Sequence, residues 1–359
     1  MIQQAGLPYY EGLESLVAIS IAHLSHLLSV VVLHQLTLAI FPESSATAAA
    51  AAAFHIISPA GLFLSAPYAE SSCAFLSFLG CLLFTKSFSS TRESSVARDS
   101  LVLVSGVLFG IATTFRSNAI LNGLLLLEEA FRTLLSLKDG FHFYTLRRLT
   151  ITGLGGLAVA FGFFLPQYLA YIEFCEDSTT SKRVWCNRSL PSIYGFVQDH
   201  YWFVPYCQKE FFYFFANVIR NCGPFRYWTV SNIPLFLLAT PMYFIMFKSG
   251  IWGVNATLPA STPASPKKSI ERFSTLPSHQ HTNQVLRNLA ISQLLLSAIN
   301  LTTAHVQIIT RISSAYPVWV WYLAILLNEK GSMTNVFVTF MVVYSLVQGG
   351  LFASFLPPA

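Results

Sequence analysis

Charge is what this sequence has least of. Only 10% of its 359 residues are Asp, Glu, Lys or Arg, against 54% hydrophobic ones, whereas soluble domains carry about 25% charged residues. That deficit excludes an ordinary soluble domain and predicts an integral membrane protein. Several motifs are missing too. The chain has no CxxC, no HExxH, no Gly-rich nucleotide loop and no DxD pair, so ATP and nucleotide-sugar chemistry have no support. No metal site or cofactor is expected. Six cysteines are too few and too scattered for a disulfide scaffold. Met1–Gly12 is polar with no basic stretch, so the first apolar helix is expected to serve as the insertion signal. The net charge of +5 sits in loops between apolar runs. It is a topology signal and does not point to nucleic acid.

What is present is most informative in His55–Gly80, HIISPAGLFLSAPYAESSCAFLSFLG. This apolar stretch is interrupted by Pro59 and Pro67 and carries one acid, Glu70. Proline removes a backbone donor and ends or kinks a helix. Irregular backbone at membrane depth survives only where it is buried in protein or lines a cavity. The stretch therefore predicts a cavity walled by the remaining helices, with Ser58, Pro59, Pro67 and Tyr68 shaping the break.

Taken in order, Leu16–Phe41 is uncharged and long enough to span. Its Ser20, His23, His26, His34 and Thr37 share one stripe, within roughly 120° at 100° per residue, and are expected to face the interior. Interhelical hydrogen bonding is the plain reading of that stripe, and a proton relay or metal site the alternative. A second helix is expected over about Glu70–Phe84. The basic loops at Lys86–Arg98 and Arg132–Arg148 read as cytoplasmic. The segment between them, Leu101–Leu127, must then cross an even number of times. Its length predicts two short helices with Arg116-Ser117-Asn118 at the turn. An arginine there is costly unless it meets an anion or a carboxylate; phosphate and Glu70 are the two partners considered.

Leu149–Ile172 spans and delivers the chain to an aromatic, hydrophilic loop (173–232) on the opposite face. Asn187-Arg188-Ser189 is a glycosylation sequon there, and Cys175 and Cys186 could either bridge in an oxidising lumen or stay free. The crowded Trp, Tyr, Gln and Arg side chains of this loop read either as a sugar-stacking surface or as an interfacial aromatic belt. Ile233–Phe247 returns across the membrane, and 248–287 is expected to be a disordered cytoplasmic linker. Asn288–Thr310, Ile312–Asn328 and Val336–Phe355 complete the bundle. The expected divisions are an N-terminal segment (1–15), a bundle (16–247), the linker (248–287) and C-terminal helices (288–359).

Four separated stretches now agree: SPAGLFLSAPYAES, FRSN, VQDHYW with FRYWTVSNIP, and HVQIITR with VQGGLFASFLPPA. Together they closely resemble the PIG-V family, the GPI mannosyltransferase 2 proteins, over nearly all of the chain from Leu16 outside the linker. The resemblance implies an all-α polytopic membrane protein with a GT-C-type helical bundle, short luminal loops and broken helices. It implies an endoplasmic reticulum enzyme that transfers the second, α-1,6-linked mannose from dolichyl-phosphate mannose to the GPI precursor on the luminal side. A small accessory membrane subunit is an implied partner. The family carries a Trp-Asp pair in its first luminal loop, the Asp being the expected base. No such dipeptide occurs here, so the catalytic residue is unassigned and the chain is expected to begin downstream of that loop. Pro205–Cys222 interrupts the resemblance and, by its Phe, Tyr, Asn and Lys content, is expected to be a retained intron. Cys207 and Cys222 would then be artefacts.

Within that frame, Arg116 and Arg311 are the expected phosphate contacts, since a fixed guanidinium offsets the charge of a departing phosphate. Gln198, Tyr201, Trp202, Tyr227 and Trp228 are expected to hold sugar rings. Glu70 and Asp199 are the acids nearest the luminal face. Asn118, Arg226, His305 and Gln307 complete the substrate-binding expectation. The alternatives are an inactive or scaffold homologue and a transporter or flippase. Broken helices and an intramembrane arginine suit a transporter equally well, but no pair of similarly interrupted segments recurs in the two halves.

Overall fold

The computed structural model describes residues 12–89, 95–140, 143–176, 183–187, 191–201, 225, 227–256, 272–329 and 332–354. Thirteen α-helices and no strand occur among them. In chain order they are α1 (Leu13–Ile40), α2 (Ser45–Ile56), α3 (Gly61–Ser65), α4 (Glu70–Ser89), α5 (Ser95–Phe115), α6 (Gly123–Ser136) and α7 (Phe143–Tyr171). Then follow α8 (Ile193–Tyr201), α9 (Ile233–Asn255), α10 (Arg272–Thr303), α11 (Ile309–Ile312), α12 (Val318–Asn328) and α13 (Ser332–Ala353). Seven helices are long and apolar enough to cross a membrane, while α2 and α12 are shorter apolar helices. The chain is an all-α polytopic membrane protein.

The two ends of the bundle differ. At one end, three interruptions meet: the chain between α2 and α4, the 3-10 turn Ser117–Asn122 after α5, and the stretch between α10 and α12. The last two fold back into the bundle. The backbone nitrogen of Trp319, in the first turn of α12, donates to Gln293 of α10 at 3.1 Å. Gln293 lies ten residues before the end of α10, about 15 Å below its tip. In the same way Ser25 of α1 meets Ser72 of α4 at 3.2 Å, and α1 continues to Leu13, about 18 Å further. The interruptions thus lie at the floor of a recess, which is why α2 and α12 need only 12 and 11 residues.

A buried ionic network ties the opposite end. Arg148 is 5% exposed; its Nε donates to Glu129 at 2.9 Å and its Nη1 to Asp99 at 3.2 Å, while Arg147 pairs with Asp99 at 2.7 Å. The Arg148 guanidinium also lies 5.1 Å from the Phe88 ring, which stacks on His281. Glu128 accepts from Gln284 and Asn288. One cluster therefore joins α4, α5, α6, α7 and α10. Between the ends, α5 and α7 run side by side on glycines. A methyl added at Gly110 would sit 2.4 Å from the Ala158 carbonyl oxygen, and one at Gly162 would sit 2.0 Å from that of Gly110. Small residues let membrane helices approach to backbone contact.

Three expectations need correction. Ser20 and His23 are exposed, and the buried face of α1 is Ala22, Ser29, Leu33, Leu36, Thr37 and Ile40. The first half of α1 rises past the packed bundle, so polar residues there have no interior to face. The 101–127 segment is not two short helices. The turn falls at Arg116–Asn122 as expected, but α5 has 21 residues because it begins at Ser95, inside the supposed loop. Its charged Asp99 is stabilised there by the Arg147–Arg148 pairs. The expected linker 248–287 is helical at both ends, because α9 runs to Asn255 and α10 starts at Arg272; residues 257–271 lie outside the described residues.

Three substitutions have defined consequences for stability in detergent. Gly162→Ala should lower the melting temperature, by roughly 1–3 kcal/mol of overpacking. Gly153→Ala, with nothing within 4 Å of the added methyl, should leave it unchanged or raise it slightly. Arg148→Met should cost about 3–5 kcal/mol, the penalty for orphaning buried carboxylates, read as a lowered melting temperature. An unchanged melt would mean that the network does not hold the helices together.

Candidate functional site

The break between α2 and α4 is built by local rules. Gly61 donates its backbone N–H to the Ser58 carbonyl at 2.9 Å, closing a turn with Pro59 at its second position, where the fixed proline φ belongs. One turn of helix, α3, follows. Pro67 then separates α3 from Glu70, the first residue of α4. A carboxylate at a helix N-terminus lies at the positive end of the helix dipole. Gly61 is small for a tertiary reason: a methyl added to it would come 2.9 Å from Ser345 Oγ of α13.

Glu70 is 1% exposed and is the centre of the recess floor. Its Oε1 accepts from Arg116 Nη1 at 2.6 Å, from Arg311 Nε at 3.0 Å and from Arg311 Nη2 at 2.7 Å. The three helix interruptions are therefore joined through one oxygen atom. The Arg311 guanidinium lies over two rings of the first break, 4.0 Å from the centroid of Phe63 and 5.1 Å from that of Tyr68. Cation–π contacts of this kind stabilise a desolvated guanidinium. Tyr316 donates its hydroxyl to the Asn118 carbonyl at 2.9 Å, and Asn122 donates to Ser77 of α4 at 2.9 Å. These bonds fix the 3-10 turn that carries Arg116. Among the described residues the balance is two cations against one anion, so the floor carries one positive charge that no described carboxylate offsets. Such a site attracts an anion and stabilises negative charge that develops beside it.

Of the two partners weighed for Arg116, the structure supplies Glu70, and it gives Arg311 the same one. Ser58 and Pro59 are buried in the turn, Pro67 is exposed, and Tyr68 packs against Phe63 and Phe352. Asn118 stands beside the cluster. Gln307 is buried in the short 3-10 turn Val306–Ile308, and its carbonyl accepts from Thr310.

Other expected residues lie elsewhere. Tyr227 is buried, with its ring 4.7 Å from that of His305 and 5.8 Å from that of Phe236. Trp228 is half exposed, and its indole donates to the Leu301 carbonyl at 3.0 Å. They make an aromatic knot at the tip of α10, where Phe225 donates its N–H to the Thr302 carbonyl. Within the loop, α8 carries Gln198, Asp199 and Tyr201, whose side chains lie outside the described residues. Trp202, Arg226 and the whole of Pro205–Cys222 also lie outside them. Cys175 and Cys186 are joined in a disulfide, and Asn187 is exposed beside it. Among the described residues no group of three His, Cys, Asp or Glu side chains could hold a metal. His26 and His55 meet edge to face, with Ser29 Oγ 2.9 Å from His55 Nε2.

Sequence reasoning missed the face of α13. Tyr344 and Gln348, one helical turn apart, point inward: the Tyr344 hydroxyl is 3.2 Å from Thr310 Oγ1 and accepts from Gln348 Nε2 at 3.1 Å. Their i, i+4 spacing in an otherwise apolar span is the signal that would have found them.

Comparison with known proteins bears on what such a floor is for. The sequence model of the family described as "Mannosyltransferase (PIG-V)" matches residues 11–359. A protein of Gibberella zeae is 40% identical over 99% of this chain and 77% of its own length. One of Chaetomium globosum is 43% identical over 96% and 71%, and one of Schizosaccharomyces pombe is 32% identical over 93% and 61%. All three are named GPI mannosyltransferase 2. No solved structure matches the chain significantly. The match runs through all three interruptions and the helices between them, and the chain belongs to the PIG-V family of mannosyltransferases.

Proposed function

We propose that the chain adds the second, α-1,6-linked mannose to the lipid-linked GPI precursor. The donor in this reading is dolichyl-phosphate mannose, and the recess opens to the lumen of the endoplasmic reticulum. The single observation that carries the reading is the surplus positive charge at the recess floor, held by Arg116 and Arg311 around Glu70. The family name and those of its relatives supply the sugar and the acceptor. Positive-inside counting supports the luminal side, because the basic residues Lys86, Arg98, Arg132, Arg147 and Arg148 sit at the helix ends opposite the recess.

In the transfer, the bond between mannose C1 and the phosphate oxygen breaks as the acceptor hydroxyl oxygen bonds to C1. The electron pair leaves with dolichyl phosphate, and the acceptor proton passes to a base. Arg116 and Arg311 offset the charge that accumulates on the leaving phosphate, and planar guanidinium groups suit its paired oxygens. Glu70 is a positioning residue here: it fixes both guanidiniums and lowers the cost of burying them. The donor carries its own leaving group, so no cofactor is invoked. The substrates reach the site on lipid anchors, and a small membrane subunit is proposed as an accessory partner.

Complementation of a yeast strain that accumulates the one-mannose precursor tests the reading. The wild-type chain should convert that precursor. Arg116→Ala and Arg311→Ala should each slow transfer by about 10²-fold or more at unchanged protein level, the scale of losing one charge-stabilising donor. Arg311→Lys should not restore it, because an ammonium cannot reproduce the fork or the stacking on Phe63. Wild-type transfer by Arg116→Ala would remove that residue from the site.

A further inference from the structure

Buried polar atoms are nearly always hydrogen-bonded, so a cluster of unpartnered ones calls for an explanation. The recess floor holds such a cluster. Among the described residues, Ser58 Oγ, Glu70 Oε2, Ser71 Oγ, Asn118 Nδ2 and Gln348 Oε1 are all buried without a partner. Ser58, Glu70, Ser71 and Gln348 are each no more than 1% exposed. All five belong to the segments that converge at this end: the first break, the start of α4, the 3-10 turn and α13. Gln348 is placed there by two contacts. Its Nε2 donates to Tyr344, whose hydroxyl meets Thr310 next to Arg311. One turn further along α13, the Phe352 ring packs 6.5 Å from that of Tyr68, beneath the Arg311 guanidinium.

The unpartnered atoms sort by chemistry. Asn118 Nδ2 is a donor two residues from Arg116. It suits an anion, together with the surplus guanidinium charge. Glu70 Oε2 and Gln348 Oε1 are acceptors only. The phosphodiester of a glycosylated lipid has no hydrogen to give them; they need hydroxyl donors. The serines can donate or accept. A ligand that satisfies the whole set has an anionic end for Arg116, Arg311 and Asn118 and a hydroxyl-bearing end for Glu70, Gln348 and the serines.

We infer that Gln348 of α13 reads a hydroxyl of the transferred sugar and, together with Glu70 Oε2, makes the floor selective for a glycosylated lipid phosphate over the bare one. This rests on the donor reading proposed above. It gives α13 a role as the specificity wall of the site, with Tyr344 and Thr310 holding Gln348 in place.

The test is equilibrium binding, independent of turnover. The full chain in lipid nanodiscs is titrated with a short-chain polyprenyl-phosphate mannose and with its 2-, 3-, 4- and 6-deoxy analogues. The wild type should bind at least one analogue about tenfold or more weakly than the parent, because a buried acceptor is left unpaired. Gln348→Leu should bind the parent and that analogue alike. Gln348→Glu, a stronger charged acceptor, should widen the preference, and it decides the point even if Gln348→Leu does not fold. A wild type that binds all five ligands equally overturns the inference but leaves the donor reading standing. A preference left unchanged by both variants also overturns it. A wild type that binds none of the five, while the complementation described above succeeds, overturns both the inference and the assignment of the donor.

Discussion

Three arginine N–H groups converge on one carboxylate oxygen, and the architecture of this bundle depends on that convergence. Helix interruptions expose backbone polar groups that hydrocarbon cannot satisfy. The chain tolerates three of them because they are placed together and closed on each other through Glu70. Burying a lone charge would be prohibitive; burying three with mutual hydrogen bonds is sustainable, at the cost of a net positive charge. That residual charge gives the floor its capacity to hold an anion.

The opposite end solves a different problem. There the charges of Asp99 and Glu129 balance those of Arg147 and Arg148, and aromatic stacking through Phe88 and His281 carries the network to α10. With that end fixed and the α5–α7 seam closed to backbone contact, the recess is held by a rigid wall on one side. The face contributed by α13 is joined to it through Tyr344, Phe352 and the close approach of Gly61 to Ser345, while Phe337 and Met341 anchor the same helix in the apolar core.

Much of this was legible in the sequence, for identifiable reasons. Pro59 and Pro67 announce the first break because proline cannot continue a helix. Glu70 and Arg116 stand out because charge in an apolar run must find a partner. Other features were hidden. That Arg311 shares Glu70 is a contact across 241 residues, which local pattern does not encode. The network around Arg148 was obscured because Arg147 and Arg148 fall in a basic stretch that reads as a loop, whereas pairing with Asp99 and Glu129 holds them in the first turns of α7. The histidine stripe on α1 misled because periodicity reports a common face, and part of that face lies above the packed bundle. The depth of the recess was not legible at all. It comes from the descent of the chain after α10, and no residue in that stretch is unusual by itself.

The sequence separations within the cluster bear on how such a protein is assembled. Glu70 and Arg116 lie 46 residues apart and emerge together during synthesis, able to neutralise each other as α4 and α5 enter the bilayer. Arg311 follows much later. A single charged residue at the centre of a membrane helix costs about 2.5–3.5 kcal/mol on insertion scales. A re-entrant segment carrying Arg311 therefore gains most by waiting at the interface until the earlier helices present Glu70. The C-terminal helices then dock against a pre-formed Glu70–Arg116 pair, and the positive surplus that defines the floor exists only once that docking is complete.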